Sequence, residues 1–347
     1  MMIPLSRPEI NQTDIQAVTD VLRTPFLSIG PRIGEFETMF SRYVGGKFAV
    51  GVNSGTSALH LIIRSLGIGP GEEVITTPFS FVASANCVLY EGARPVFVDI
   101  EEETLNIDPE RIKGAIGERT RAILPVDVFG HPCEWDTILK MALEHGLSVI
   151  EDSCEALGSG YKGRKCGSFG VAAAFGFYPN KQITTGEGGM VVTDDPYIAE
   201  LCRSMRNQGR GEDLSWLDHE RLGYNYRLDE MSAALGISQL QRIEEIIEKR
   251  AKVAEEYSRR LQEIDEIITP QVRPEMKMSW FVYVVRLKNH IDRDGVIEYL
   301  KGKDIASKPY FPPIHLQPFY REKFGFREGD FLKRFKKKCK RCCALSF

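Results

Sequence analysis

The chain has 347 residues, 43% of them apolar, enough to bury a full core and to divide into a large domain and a smaller one. Its 45 basic and 48 acidic residues leave a formal net charge of -3, which excludes a global bias toward nucleic acid, anionic membranes or acidic partners. The N-terminal "MMIPLSRPEI" has no basic segment before a hydrophobic core, and no apolar run approaches the roughly 20 residues that span a bilayer, so a cytoplasmic protein is expected. Eight cysteines are scattered without a secretion signal, which favours reduced thiols.

In chain order, short β-branched or apolar runs read as strands: "KFAVGV", "EEVITTP", "RPVFVDI", "RAILPVDVF", "LSVIED", "VAAAFGF" and "GMVVTDD". Between them stand stretches with helical periodicity, such as "TSALHLIIRSLG" and "WDTILKMALEHG". The alternation predicts an α/β fold, a mainly parallel sheet covered by helices. From about Leu228 the pattern becomes one long helical segment with charged faces, which would cross from a large domain (1–240) to a small C-terminal one (241–347). In the second part "SWFVYVVRL" and "RDGVIEYLKGKDI" read as strand then helix of an α+β unit.

Four stretches carry chemistry. In "VNSGTSALHLIIRSLG" a strand ends at Val52 and a helix begins, so Gly55 and Thr56 stand where free N–H groups and the helix dipole favour a phosphate, or simply where a cap is needed. In "LSVIEDSCEALG" a strand delivers Glu151, Asp152 and Glu155 at its carboxyl end, the edge where open α/β sheets bind ligands. In "FGFYPNKQITTGEGGMVVTDD" a strand gives way to a Pro-Asn-Lys turn that fixes Lys181. Tyr224, Asn225 and Arg227 form a polar cluster ahead of a helix. A phosphate-binding helix start, an acid at a strand end and a lysine after another strand are together the three points needed to hold pyridoxal 5'-phosphate.

These stretches, with "PLSRPEI", "LSIGPRIGEFE", "GPGEEVITTPFSFVASAN", "VFGHP" and "PPIHLQPFY", resemble the DegT/DnrJ/EryC1/StrS family of sugar aminotransferases, within the fold-type I pyridoxal-phosphate enzymes. The resemblance runs nearly end to end as far as Tyr320 and implies a seven-stranded, aspartate-aminotransferase-like large domain. It also implies that Lys181 forms the Schiff base, that Asp152 pairs with the pyridine nitrogen, that Phe81 stacks on the ring and that Gly55 and Thr56 hold the phosphate. Glu155 falls near the ring hydroxyl, where the family often has Gln or His. Asn225 matches a residue that reaches the cofactor phosphate of a neighbouring subunit, which implies a homodimer with shared sites. Tyr310 and His315 lie in a segment similar to a substrate-facing loop. The implied reaction is a ping-pong exchange in which glutamate gives its amino group, through pyridoxamine 5'-phosphate, to a nucleotide-linked keto-sugar. A pyridoxal-dependent sugar dehydratase of the same family has histidine in place of the lysine, and a non-catalytic regulator would not need the set.

Two departures stand out. Gly176 occupies "FGF" where many members have a phosphate-binding Ser, and the C-terminus looks truncated or altered after about 330. Its "FLKRFKKKCKRCCALSF" reads as a basic helix with Phe331, Phe335, Cys339 and Cys342 on one stripe. "GSGYKG" fits a dinucleotide-binding pattern but opens no helix, and "CKRCC" lacks the partners a zinc site requires, so neither nucleotide nor metal is expected there.

Overall fold

A computed structural model of the chain describes residues 2–211, 218–331 and 342–345. The main sheet contains β1 (Phe48–Val52), β2 (Glu73–Thr76), β3 (Arg94–Phe97), β4 (Thr120–Leu124) and β5 (Ser148–Asp152). After a small hairpin of β6 (Gly160–Tyr161) and β7 (Arg164–Lys165) it is completed by β8 (Ala172–Gly176) and β9 (Gly189–Thr193). The order across the sheet is β1-β9-β8-β5-β4-β2-β3. All neighbours are parallel except at β9, which runs antiparallel to both β8 and β1. Two reversals restore the direction, so β1 points the same way as β8.

Helices cover both faces, and the strand residues divide between them with the period of two that a pleated strand imposes. Ala172, Ala174 and Val191 join Leu59, Ile62 and Ile63 of the helix Gly55–Ser65 in one core. Ala173, Phe175, Met190 and Val192 join Phe36 and Phe40 of the helix Pro31–Val44, with Ile237 and Leu240, in the other. The small residues of "AAAFG" let β8 pass between the two layers without crowding either.

Beyond the sheet the predicted single long helix is two helices, Glu230–Gln241 and Ile243–Leu261, broken where Arg242 leaves helical geometry (φ -119°, ψ 21°). Arg242 is held there by the chain's N-terminal segment, with its guanidinium 2.8 Å from Asp14 and 3.1 Å from Glu9. β10 (Ile267–Ile268) and β11 (Met276–Lys277) follow, and β11 pairs with β6. The second sheet is β10-β12-β14-β13, formed with β12 (Tyr283–Leu287), β13 (Lys308–Pro309) and β14 (Cys342–Leu345).

The helical reading of the tail fails at Cys342. Residues 332–341, including Phe335 and Cys339, lie outside the described residues. Cys342 to Leu345 form an inner strand, antiparallel to both β12 and β13, with Cys342, Cys343 and Ala344 buried. A four-residue apolar run does not reveal its period, and here pairing with β12 decides it. Phe331 packs on Phe97 and Phe326. "GSGYKG" supplies β6 and the turn that leads into β7. Among the described residues no helix is long and apolar enough to cross a membrane.

Candidate active site

The carboxyl ends of three strands meet at one edge. Strand register puts Val52 opposite Gly189 and Gly189 opposite Gly176, while Asp152 stands opposite Ala174. The helix start after β1 therefore lies beside the end of β8. Glycine is required for this approach: a Cβ on Gly189 would sit 2.4 Å from the Ser54 carbonyl, and one on Gly55 would sit 2.8 Å from Cys154 Sγ. Ser54 caps the helix by accepting the Ser57 N–H, and the N–H groups of Gly55 and Thr56 are its open donors.

Asp152 is buried at the end of β5. Its Oδ2 accepts from Ser84 Oγ at 2.6 Å and its Oδ1 from the Cys154 N–H at 3.2 Å. The Lys181 turn is tied back to the sheet, since Lys181 N–H donates to Tyr178 O and Thr185 N–H to Phe177 O, at 2.9 and 3.1 Å. Lys181 Nζ lies 3.6 Å from Glu155 Oε1 and 3.9 Å from the centre of the Phe281 ring. The other Glu155 oxygen accepts the Phe129 N–H at 2.8 Å, which fixes the carboxyl plane toward the amine. Burial raises the Glu155 pKa and the Lys181 ammonium opposes that rise.

Gly55, Thr56, Phe81, Asp152, Glu155, Lys181 and Tyr310 line one cavity of about 1400 Å³. Phe81 presents its ring to the opening, with 61% of the residue exposed. Tyr310 is held near Glu155, and burial first and that carboxyl second push its hydroxyl up to about 12. Two predicted residues are not on the wall. Asn225 is exposed outside the lining, its backbone bridged to Asn207. His315 is buried behind the wall, edge-on to Phe326 and Phe331, with neither ring nitrogen bonded among the described residues, and burial depresses its pKa to about 4. The turn preceding Pro318 points this side chain inward, which a substrate-facing reading of "PPIHLQPFY" did not anticipate.

Sequence reasoning missed Ser84, although "PFSFVASAN" contains it, because a serine that serves an aspartate 68 positions away leaves no local pattern. It also missed Asn180, whose side-chain oxygen is buried on the wall without a donor, and Phe281.

A sheet edge that joins an acid, a half-buried lysine and an open helix start matches known proteins closely. The model of the DegT/DnrJ/EryC1/StrS aminotransferase family matches residues 8–347. The chain belongs to this family. It is 40% identical over 322 residues to a GDP-perosamine synthase of Caulobacter vibrioides, covering 92% of this chain and 86% of that protein. Among solved structures, DesV of S. venezuelae in complex with a ketimine intermediate superposes with a TM-score of 0.91 at 37% identity, covering 96% of this chain and 88% of DesV. The putative sugar aminotransferase Spr1654 of Streptococcus pneumoniae, solved in a PLP form, gives a TM-score of 0.93 at 28% identity over 99% of this chain and 93% of that one. This family member thus shares the fold-type I architecture of pyridoxal-phosphate aminotransferases, and its structural neighbours use that cofactor.

Proposed function

We propose that the chain is a pyridoxal 5'-phosphate-dependent aminotransferase that moves an amino group from glutamate to a keto-sugar carried on a nucleoside diphosphate. The observation that carries this reading is the convergence of Lys181, Asp152 and the Gly55–Thr56 turn on one cavity. The residues fit the cofactor. Gly55 and Thr56 open a helix whose first N–H groups suit a phosphate, and Asn180 has a buried oxygen on the same wall that meets no donor among the described residues.

In this reading Lys181 would hold the cofactor's aldehyde carbon through Nζ, the Gly55 and Thr56 N–H groups would hold its phosphate, and Phe81 would cover its ring. Bound there, the cofactor supplies an electron sink for the carbon that exchanges the amino group. Asp152 holds a proton on the pyridine nitrogen, and Ser84 keeps that carboxylate aimed. With the cofactor bound, the free Lys181 amine would take a proton from the donor's α-carbon and, in the second half, deliver one to the sugar carbon that receives the amino group, and Glu155 sets its resting position and charge. Asn225, exposed and outside this chain's cavity, serves the phosphate of the neighbouring subunit in a homodimer. Tyr310 closes the wall toward the sugar.

The test is a panel of nucleotide-linked keto-sugars incubated with glutamate. Release of 2-oxoglutarate that depends on one of the sugars is expected; a protein whose visible absorbance ignores glutamate, and which turns over no sugar, would overturn the reading.

Gly176 provides a second check. A Cβ there would be 3.7 Å from Cys154 Cβ, Cys154 Sγ and Gly55 Cα, ordinary contact that a serine can occupy without moving the strand. Its hydroxyl would stand beside the helix start and add a hydrogen bond to the phosphate, worth about 1 kcal/mol. Gly176→Ser is expected to slow the loss of pyridoxal phosphate on dialysis by about fivefold. Unchanged loss would mean that the phosphate does not sit at that turn.

A further inference from the structure

The back of the Lys181 turn is held by a half-buried cation from another part of the chain. Arg250 stands on the helix Ile243–Leu261, and its guanidinium is the knot between three backbone carbonyls. Nη2 donates to Lys181 O at 2.9 Å, and Nη1 donates to Trp280 O and Phe281 O, each at 3.1 Å. Burial lowers its pKa to about 10, still far above neutrality, so it remains a cation.

The two ends of this clamp bear on the amine from two sides. One is the main chain of Lys181 itself. The other is the backbone of Phe281, whose ring centre is 3.9 Å from Lys181 Nζ. Trp280 adopts the left-handed region at φ 55°, a conformation that a bulky residue holds only when its surroundings impose it. The Trp280 carbonyl bonded to Arg250 is part of that imposition. Next to the clamp, Gln182 Nε2 donates to Glu155 O at 2.6 Å and to Ser279 Oγ at 2.7 Å, so the lysine, the ring and the carboxyl share one connected frame.

We propose that Arg250 is a positioning residue for the Lys181 amine, setting its place between Phe281 and Glu155 from the far side of the turn. The inference rests on the reading of Lys181 given under Proposed function. A planar fork suits the task because two nitrogens reach carbonyls on two different segments at once; an ammonium cannot span them in the same plane.

The experiment compares the full-length protein with Arg250→Met and Arg250→Lys. Pyridoxal phosphate is added to protein freed of it, and the rate of covalent capture is followed by its visible absorbance and by borohydride trapping of the Lys181 peptide. Thermal melting reports the folded fraction, and kcat is measured separately from KM. Both variants are expected to melt as folded proteins and to capture at least about tenfold more slowly, with kcat lowered up to about 100-fold and KM for both substrates within about threefold, because a misplaced reacting group loses rate rather than binding. Arg250→Lys, which keeps the charge but not the fork, is expected to lie with Arg250→Met rather than with the parent.

Parental capture in either folded variant overturns the proposal. Loss of capture in direct proportion to loss of folded protein in both variants overturns it as well, because the guanidinium would then serve the fold and not the amine. Lys181→Ala, run alongside, separates the two readings. Capture and turnover retained without Lys181 would remove the underlying assignment, whereas a Lys181-dependent capture untouched at Arg250 would remove only this one.

Discussion

Lys181→Ala is expected to lower amino transfer by at least about 10⁴-fold while leaving the protein folded. The turn does not depend on the side chain: Lys181 N–H donates to Tyr178 O and its carbonyl accepts from Arg250, both main-chain bonds that alanine keeps. Removing the ammonium leaves Glu155 buried without its nearby cation, which removes the charge opposing the upward push of burial on its pKa and so favours the neutral acid. One of its oxygens retains the Phe129 N–H. Melting should therefore shift little. Lys181→Arg sharpens the result, since it keeps a positive charge near Glu155 and Phe281 yet cannot give up a proton at neutral pH. Equal inactivity of both variants, measured as 2-oxoglutarate release, would place the chemistry on a proton-carrying amine; parental turnover by Lys181→Ala would disprove the assignment.

What was legible in the sequence was what is local. Runs such as "VAAAFGF" and "LSVIED" reported buried strands, and the end of each strand reported which polar residue it would deliver, because a ligand edge in such sheets follows from strand direction alone. Gly55, Asp152 and Lys181 all stand at such strand ends or just after them. β9 was legible as a strand but not as the reversed one, since an apolar run carries no sign of direction. The break at Arg242 was hidden because the helical pattern continues through it, and the contacts that stop it come from Glu9 and Asp14 more than two hundred residues away. Ser84, Phe281 and Arg250 were illegible for the same reason: each acts on a site residue through a contact that only the tertiary structure creates. The strand Cys342–Leu345 was too short for periodicity to classify, and His315 was read by its place in a motif when its burial depends on Phe326 and Phe331.

The aspartate provides the second large effect. Asp152→Asn is nearly isosteric, and its environment accepts the change. The side-chain oxygen can still take the Cys154 N–H, and the new amide can donate to Ser84 Oγ, which turns to donate elsewhere, to Ser80 Oγ or the Phe81 carbonyl. The fold and the cavity should survive. On the proposed reading, what is lost is the negative charge that would stabilise a proton on the ring nitrogen, aimed from a buried side chain. The expected result is a fall in kcat on the order of 10²–10³-fold. KM for glutamate and for the keto-sugar should stay within about threefold, because the interaction strengthens as charge develops and contributes little to substrate binding. Ser84→Ala keeps the carboxylate charge and removes the hydroxyl that aims it, together with its contacts to Ser80 and Phe81, and should cost about tenfold or less. A ranking in which Ser84→Ala is the more damaging, or an Asp152→Asn variant with parental kcat, would show that the carboxylate serves the architecture of β5 and not the reacting ring.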